Sequence, residues 1–265
     1  MKKPVLVMDF DGVIADSQME TLVVGFNSYL RLNRKTKLFD GKKITFTNFS
    51  TIKSKYKKII NEYKKLRPFG IDNFCLYVFL TIIENKIKIK NQNDYLRHRE
   101  KLMQKNYKKY LGYFTKERIS IQKKDFDKWV ELDKPIDIVI NGIKGLEKKY
   151  TIAIATMNRR EGIKKFLEKY KIDYKAIADP KISADKKKQL KYIVNELKAA
   201  YNDVHFVDDQ PKHFPKLLNL GITCYLALWG YNNKEQQKKA KKQGAILLKQ
   251  NDFYNYFNKL DQIED

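Results

Sequence analysis

At 265 residues and 43% hydrophobic content, the chain has enough apolar mass for a real core, with room for an accessory unit beside it, which excludes a disordered tail or a disulfide-stapled miniprotein. Fifty-five basic residues against 31 acidic ones give a net charge of +24, which would attract polyanions and speed capture of phosphorylated ligands. The excess is almost all lysine, spread from end to end among many Ile, Asn and Tyr, as an AT-rich coding sequence produces, so a dedicated nucleic-acid surface is the lesser reading.

In chain order, Val5-Leu6-Val7-Met8 reads as a short buried parallel strand. It ends in Asp9-Phe10-Asp11-Gly12. A strand keeps residues i and i+2 on one side, so Asp9 and Asp11 can face one small volume, and Gly12 lets the chain turn at once. Two carboxylates there suit a hard cation plus a nucleophile; the plainer alternative is a strand ending in an Asp turn. The same carboxylates interrupt any signal-peptide core after Lys2 and Lys3, which predicts a cytoplasmic protein.

Residues 15 to about 135 show no convincing strand pair. Helical patterns lie near 17–31, 52–66, 71–86, 92–111 and 116–131, punctuated by Pro68 and Gly70 and closed by Pro135. The longest apolar run, Phe74 to Ile83, is too short to span a bilayer and reads as a core helix. Cys75 and Cys224, the two cysteines, both lie in apolar runs and read as buried thiols.

Strands return near 150–156, 175–178, 203–207 and 223–227, alternating with helices, which predicts a parallel sheet covered on both faces. The second strand ends at Thr156, which by itself suits a helix cap better than a phosphate ligand. Asp185-Lys186-Lys187-Lys188-Gln189-Leu190 opens an amphipathic helix, and in a chain this rich in lysine its lysines by themselves read as solvated surface groups. Strand 203–207 ends in Asp208-Asp209, a pair that repels itself without a cation or donors. His213 follows, either bonded to a neighbour or exposed.

Asp9-x-Asp11-Gly12-Val13, Thr156, Lys186 and Asp208-Asp209, in this order on strand ends and a helix start, resemble the motif set of the haloacid-dehalogenase superfamily. The resemblance covers residues 1 to about 14 and about 140 to 260. It implies an α/β fold with a Rossmann-like parallel sheet core formed by residues 1–14 and 140–265, the first strand lying between the second and fourth. Residues 15–139 would then be an inserted helical cap domain.

The resemblance also implies a Mg2+-dependent phosphatase. Asp9 would be the nucleophile and Asp11 the acid and base, while Thr156 and Lys186 would hold phosphoryl oxygens. Asp9, the Asp11 carbonyl and Asp209 would hold the metal, with Asp208 around it. Spacing to Leu190 favours Lys186 over Lys187. His213 stands where many relatives carry Asp or Asn. Asp11 argues against dehalogenation, since halide leaves without a proton. The expected partner is a phosphorylated small molecule. A polynucleotide-end phosphatase, a sugar phosphomutase and a catalytically silent binding protein are the alternatives.

Overall fold

Val5–Met8 (β1) is fully buried, and its position in the sheet sets the architecture of the chain. The computed structural model describes residues 3–70 and 72–260. The remaining strands are Ala15–Asp16 (β2), Lys134–Pro135 (β3), Thr151–Ala155 (β4), Ala176–Ala178 (β5), Val204–Asp208 (β6), Thr223–Ala227 (β7) and Ile246–Leu248 (β8). Six of them form one sheet in the order β5-β4-β1-β6-β7-β8, and every pairing in it is parallel. β1 thus lies between β4 and β6, with Val5 opposite both Thr151 and Val204. The strands are short and rich in Val, Ile, Leu and Ala because both faces are covered.

The chain divides into two compact units, Met1–Asp16 with Lys134–Asp265, and Ser17–Asp133. The second unit is helical: Gln18–Leu32 (α1), Phe49–Lys55 (α2), Lys57–Leu66 (α3), Cys75–Glu84 (α4), Gln92–Lys124 (α5) and Phe126–Val130 (α6). The first contains Asp137–Leu146 (α7), Arg160–Lys169 (α8), Lys186–Leu197 (α9), Phe214–Leu218 (α10), Lys234–Lys242 (α11) and Phe253–Lys259 (α12). The six-stranded sheet takes no strand from the helical unit.

Several boundaries differ from the sequence reading. Residues 15–16 and 134–139 fall in the α/β unit rather than with the helical insert, because Ala15 pairs antiparallel with Pro135 and Asp16 with Lys134. Two-residue strands carry no readable pattern. The expected helices near 92–111 and 116–131 are instead joined through 112–115 into α5, which runs to Lys124. Gly112 is exposed there, and a glycine in a helix interior costs only about 1 kcal/mol, too little to end a helix of this length. The break comes at Asp125, whose side chain caps α6 by accepting the Lys128 N–H. The pattern at 52–66 is likewise split at Tyr56. β8, the edge strand beside β7, was not assigned from the sequence. Of the pattern at 71–86, Ile71 lies outside the described residues, and α4 begins at Cys75.

The helical unit is built on α1, α4 and α5. On α5 the buried residues Tyr110, Phe114, Glu117 and Ile121 recur at helical spacing along one stripe. Two fully buried carboxylates sit in this unit and both are paired. Arg118 donates to both oxygens of Glu20 at 2.9 and 2.8 Å, and Trp129 Nε1 adds a third bond at 3.0 Å. Glu117 accepts from Asn27 at 3.1 Å and meets Lys43 at 2.7 Å. Buried charge is tolerated only when compensated in this way. α4 carries the run Phe74 to Ile83 as a core helix, and Cys75 and Cys224 are buried, as expected. No helix among the described residues is long and apolar enough to cross a membrane.

Candidate active site

β1, β4 and β6 are neighbours and parallel, so their carboxyl ends emerge side by side, and the sequence places a polar residue at each. Asp9 follows β1, Thr156 follows β4, and Asp208-Asp209 stand at the end of β6. In an open parallel sheet, this edge is where ligands bind. All four residues are buried.

Asp9 is fixed by its backbone N–H, which donates to Val207 O at 2.9 Å. Its Oδ1 accepts a hydrogen bond from Lys186 Nζ at 2.8 Å. Lys186 is the first residue of α9, where the Asp185 side chain caps the helix by accepting the Lys188 N–H. The Lys186 ammonium also donates to the Ala155 carbonyl at the end of β4. Of the three consecutive lysines, Lys186 is the buried one and the one that reaches Asp9; Lys187 is half-buried and Lys188 exposed.

Thr156 is held by its N–H, which donates to Ala178 O at 2.9 Å. Its Oγ1 accepts the Asn158 N–H at 2.9 Å, which leaves the hydroxyl proton for a ligand. Asp208 Oδ1 accepts the Gln210 N–H at 2.9 Å, while Oδ2 is buried without a hydrogen-bond partner. Asp209 Oδ2 accepts the Tyr231 N–H at 2.6 Å.

Asp9, Asp208 and Asp209 each offer an oxygen within 4.8 Å of the others. Packing three carboxylates together in a buried space is unfavourable without positive charge. Burial pushes the Asp9 carboxyl up to about 7; the Lys186 ammonium opposes this, while Asp208 and Asp11 add to it. For Lys186, burial disfavours the charge, but Asp9 and Asp208 outweigh it and hold the ammonium above its ordinary value. One lysine does not balance this trio. The unpartnered Asp208 oxygen and the all-oxygen donor set therefore fit a hard divalent cation.

Asp11 is half-buried, its carboxylate outside that trio, with Oδ1 buried and lacking a hydrogen-bond partner. The turn behind it needs glycine. Gly12 has φ +81, and a Cβ there would lie 2.6 Å from Asp209 Oδ2 and 3.0 Å from the Tyr231 ring. His213 is partly buried, and burial lowers its pKa to about 4, so the ring is neutral at ordinary pH.

Three residues have roles here that the sequence reading did not assign. Gly230 lets Asp209 approach, since a Cβ there would lie 2.2 Å from Asp209 Cβ. Tyr231 ties Asp209 to β2, its hydroxyl donating to Asp16 Oδ1 at 3.0 Å. Gln189, one turn beyond Lys186 on α9, donates to Thr156 O at 2.8 Å. The helical spacing of Lys186 and Gln189 was the available signal for the last; the other two had none.

No protein-family model matches the chain, and no curated protein sequence matches it. Solved structures do match, over nearly the whole chain. A haloacid-dehalogenase-like family hydrolase from Streptococcus pneumoniae aligns with 14% identity, covering 96% of this chain and 98% of its own, at a TM-score of 0.58. The fold is that of the haloacid-dehalogenase-like hydrolases. A predicted phosphatase from Clostridium acetobutylicum is 14% identical, covers 98% of this chain and 100% of its own, and gives a TM-score of 0.58. A predicted phosphoglycolate phosphatase from Haemophilus somnus is 12% identical, covers 97% and 98%, and gives 0.61. The haloacid-dehalogenase-like fold thus extends over both units of the chain.

Proposed function

We propose that this protein is a Mg2+-dependent phosphoric monoester hydrolase of the cytoplasm, acting through a phosphoaspartate on Asp9 on a small phosphorylated metabolite. The observation that carries this reading is the placement of Asp9. It is a buried carboxylate bonded to the Lys186 ammonium and part of a buried carboxylate trio on a haloacid-dehalogenase-like sheet. A structural ion pair needs one acid, and nothing in the fold calls for three.

In the first step the Asp9 carboxylate attacks phosphorus and the P–O ester bond breaks. Asp11, as the carboxylic acid, gives its proton to the departing oxygen. In the second step Asp11, now ionised, takes a proton from the water that attacks phosphorus, and Asp9 and phosphate are released. The Thr156 hydroxyl and the Lys186 ammonium hold phosphoryl oxygens and offset the charge that accumulates there. Asp9, the Asp11 carbonyl and Asp209, with Asp208 beside them, would hold Mg2+. When bound, the ion supplies positive charge that favours the ionised nucleophile and offsets its repulsion of the phosphate. The helical unit Ser17–Asp133 serves in this reading as the cap domain.

The experiment is a panel of phosphorylated metabolites incubated with the protein and Mg2+, with phosphate release measured. Turnover abolished by EDTA is expected. Absence of release across the panel and with an aryl phosphate would remove the phosphatase reading.

A further inference from the structure

Among the described residues, four large apolar side chains are exposed: Ile138, Met157, Ile182 and Tyr254. Two of them stand on the loops after β4 and β5, Met157 directly after Thr156 and Ile182 four residues before Lys186. Met157 is 45% exposed and Ile182 is 39% exposed. Single exposed apolar residues are ordinary on protein surfaces. Two on neighbouring strand-end loops, in a chain otherwise coated with lysine, are not what scattering predicts.

The two loops are built as one piece. Gln189 is fully buried, and its side-chain amide donates to Thr156 O and to Ser183 O, both at 2.8 Å, with Met157 Sδ 3.9 Å away. One amide therefore clamps the Met157 loop to the Ile182–Ser183 loop. The Ile182 loop is closed in turn on the end of β5, where Asp179 O accepts the N–H groups of Ile182 and Ser183. α9 thus presents Lys186 to the nucleophile and, one turn on, holds the two apolar side chains in place.

The cations on the same loops are occupied elsewhere. Lys181 pairs with Glu161 at 3.0 Å and Arg159 approaches the same carboxylate at 3.9 Å. Arg160 donates to Ile177 O at 2.6 Å and approaches Asp179 at 3.6 Å. Beside the exposed Met157 and Ile182, the neighbouring cations are therefore engaged with Glu161 and Asp179.

The geometry points to Met157 and Ile182 as specificity-determining residues that select phosphomonoesters whose organic group is apolar next to the phosphate. This rests on the phosphatase reading above and narrows its substrate class. A sugar or nucleoside hydroxyl set against this lip would lose water without gaining a partner, whereas an alkyl or aryl group would bury both side chains.

The test compares n-hexyl phosphate with ribose 5-phosphate. Both have primary alkoxide leaving groups, so intrinsic reactivity is matched. For the wild-type protein with Mg2+, kcat/KM should favour n-hexyl phosphate about ten-fold or more, chiefly through KM, the size expected for apolar pocket contacts. In Met157→Ser/Ile182→Ser the ratio should fall to within about two-fold. Met157→Gln alone should lower it part-way, and both side chains are exposed enough for folding to survive, which circular dichroism would verify. Equal turnover of the two esters, a preference for ribose 5-phosphate, or a hexyl preference that survives the double substitution would overturn the inference. Hydrolysis of p-nitrophenyl phosphate in the same samples separates the two levels. If it proceeds while the preference is absent, only the specificity inference falls; if it is absent too, both fall.

Discussion

Lys186 and Asp9 form an ion pair at 2.8 Å, with side chains only 2% and 11% exposed, between residues 177 positions apart in the chain. Both charges have left water, so neither is neutral to remove. Lys186→Met should leave a buried carboxylate uncompensated and cost about 3–5 kcal/mol of stability, read as a lower urea midpoint at pH 7.5. Asp9→Asn keeps the shape but cannot act as a nucleophile, and should lower phosphate release by at least about a thousand-fold. An Asp9→Asn protein with wild-type turnover would end the covalent mechanism.

The carboxylate trio predicts a metal-dependent stability. Mg2+ at about 100 times its dissociation constant should stabilise the protein by about 2.7 kcal/mol, seen as a rise in melting temperature that EDTA reverses. Asp208→Asn and Asp209→Asn should each shrink that rise. A melting temperature indifferent to Mg2+ would show that the trio is held by other means.

Gly230 has an atom-level requirement. An alanine Cβ would sit 2.2 Å from Asp209 Cβ and 2.8 Å from Gly12 O, neither of which is a flexible side-chain end. Gly230→Ala should therefore displace Asp209, costing about 1–3 kcal/mol in overpacking and raising the Mg2+ concentration needed for half-maximal activity. Gly112→Ala is the control: nothing lies within 4 Å of a Cβ there, and this exposed helix position should gain slightly in stability.

His213 gives a pH dependence of definite sign. Burial lowers its pKa from 6.5 to about 4, so the folded protein keeps the ring neutral where the unfolded chain takes up a proton. Its contribution is intact above about pH 6.5 and is lost as pH falls toward 4, by an amount of the order of 3 kcal/mol. Denaturant titrations of the wild type and His213→Phe at pH 7, 6 and 5 should diverge, with the substituted protein losing less on acidification. Parallel loss in the two would contradict the assignment.

The features legible in the primary structure were local ones. Four apolar residues ending at Asp9, four ending at Thr156 and the strand ending at Asp208 were readable because a buried parallel strand writes its burial into consecutive residues. Lys186 was distinguishable from Lys187 only by the motif spacing, and consecutive helix residues then point in different directions. What required the tertiary structure was set by contacts between distant segments. Gln189 meets Thr156 across 33 positions, Tyr231 meets Asp209 across 22, and β2 pairs with β3 across the whole helical unit. No periodicity encodes such contacts, because each is a single polar or steric requirement arising only after the sheet has aligned its strand ends. The cation demand is of the same kind. Each Asp is ordinary in sequence, and only folding brings three of them within 4.8 Å in a buried space.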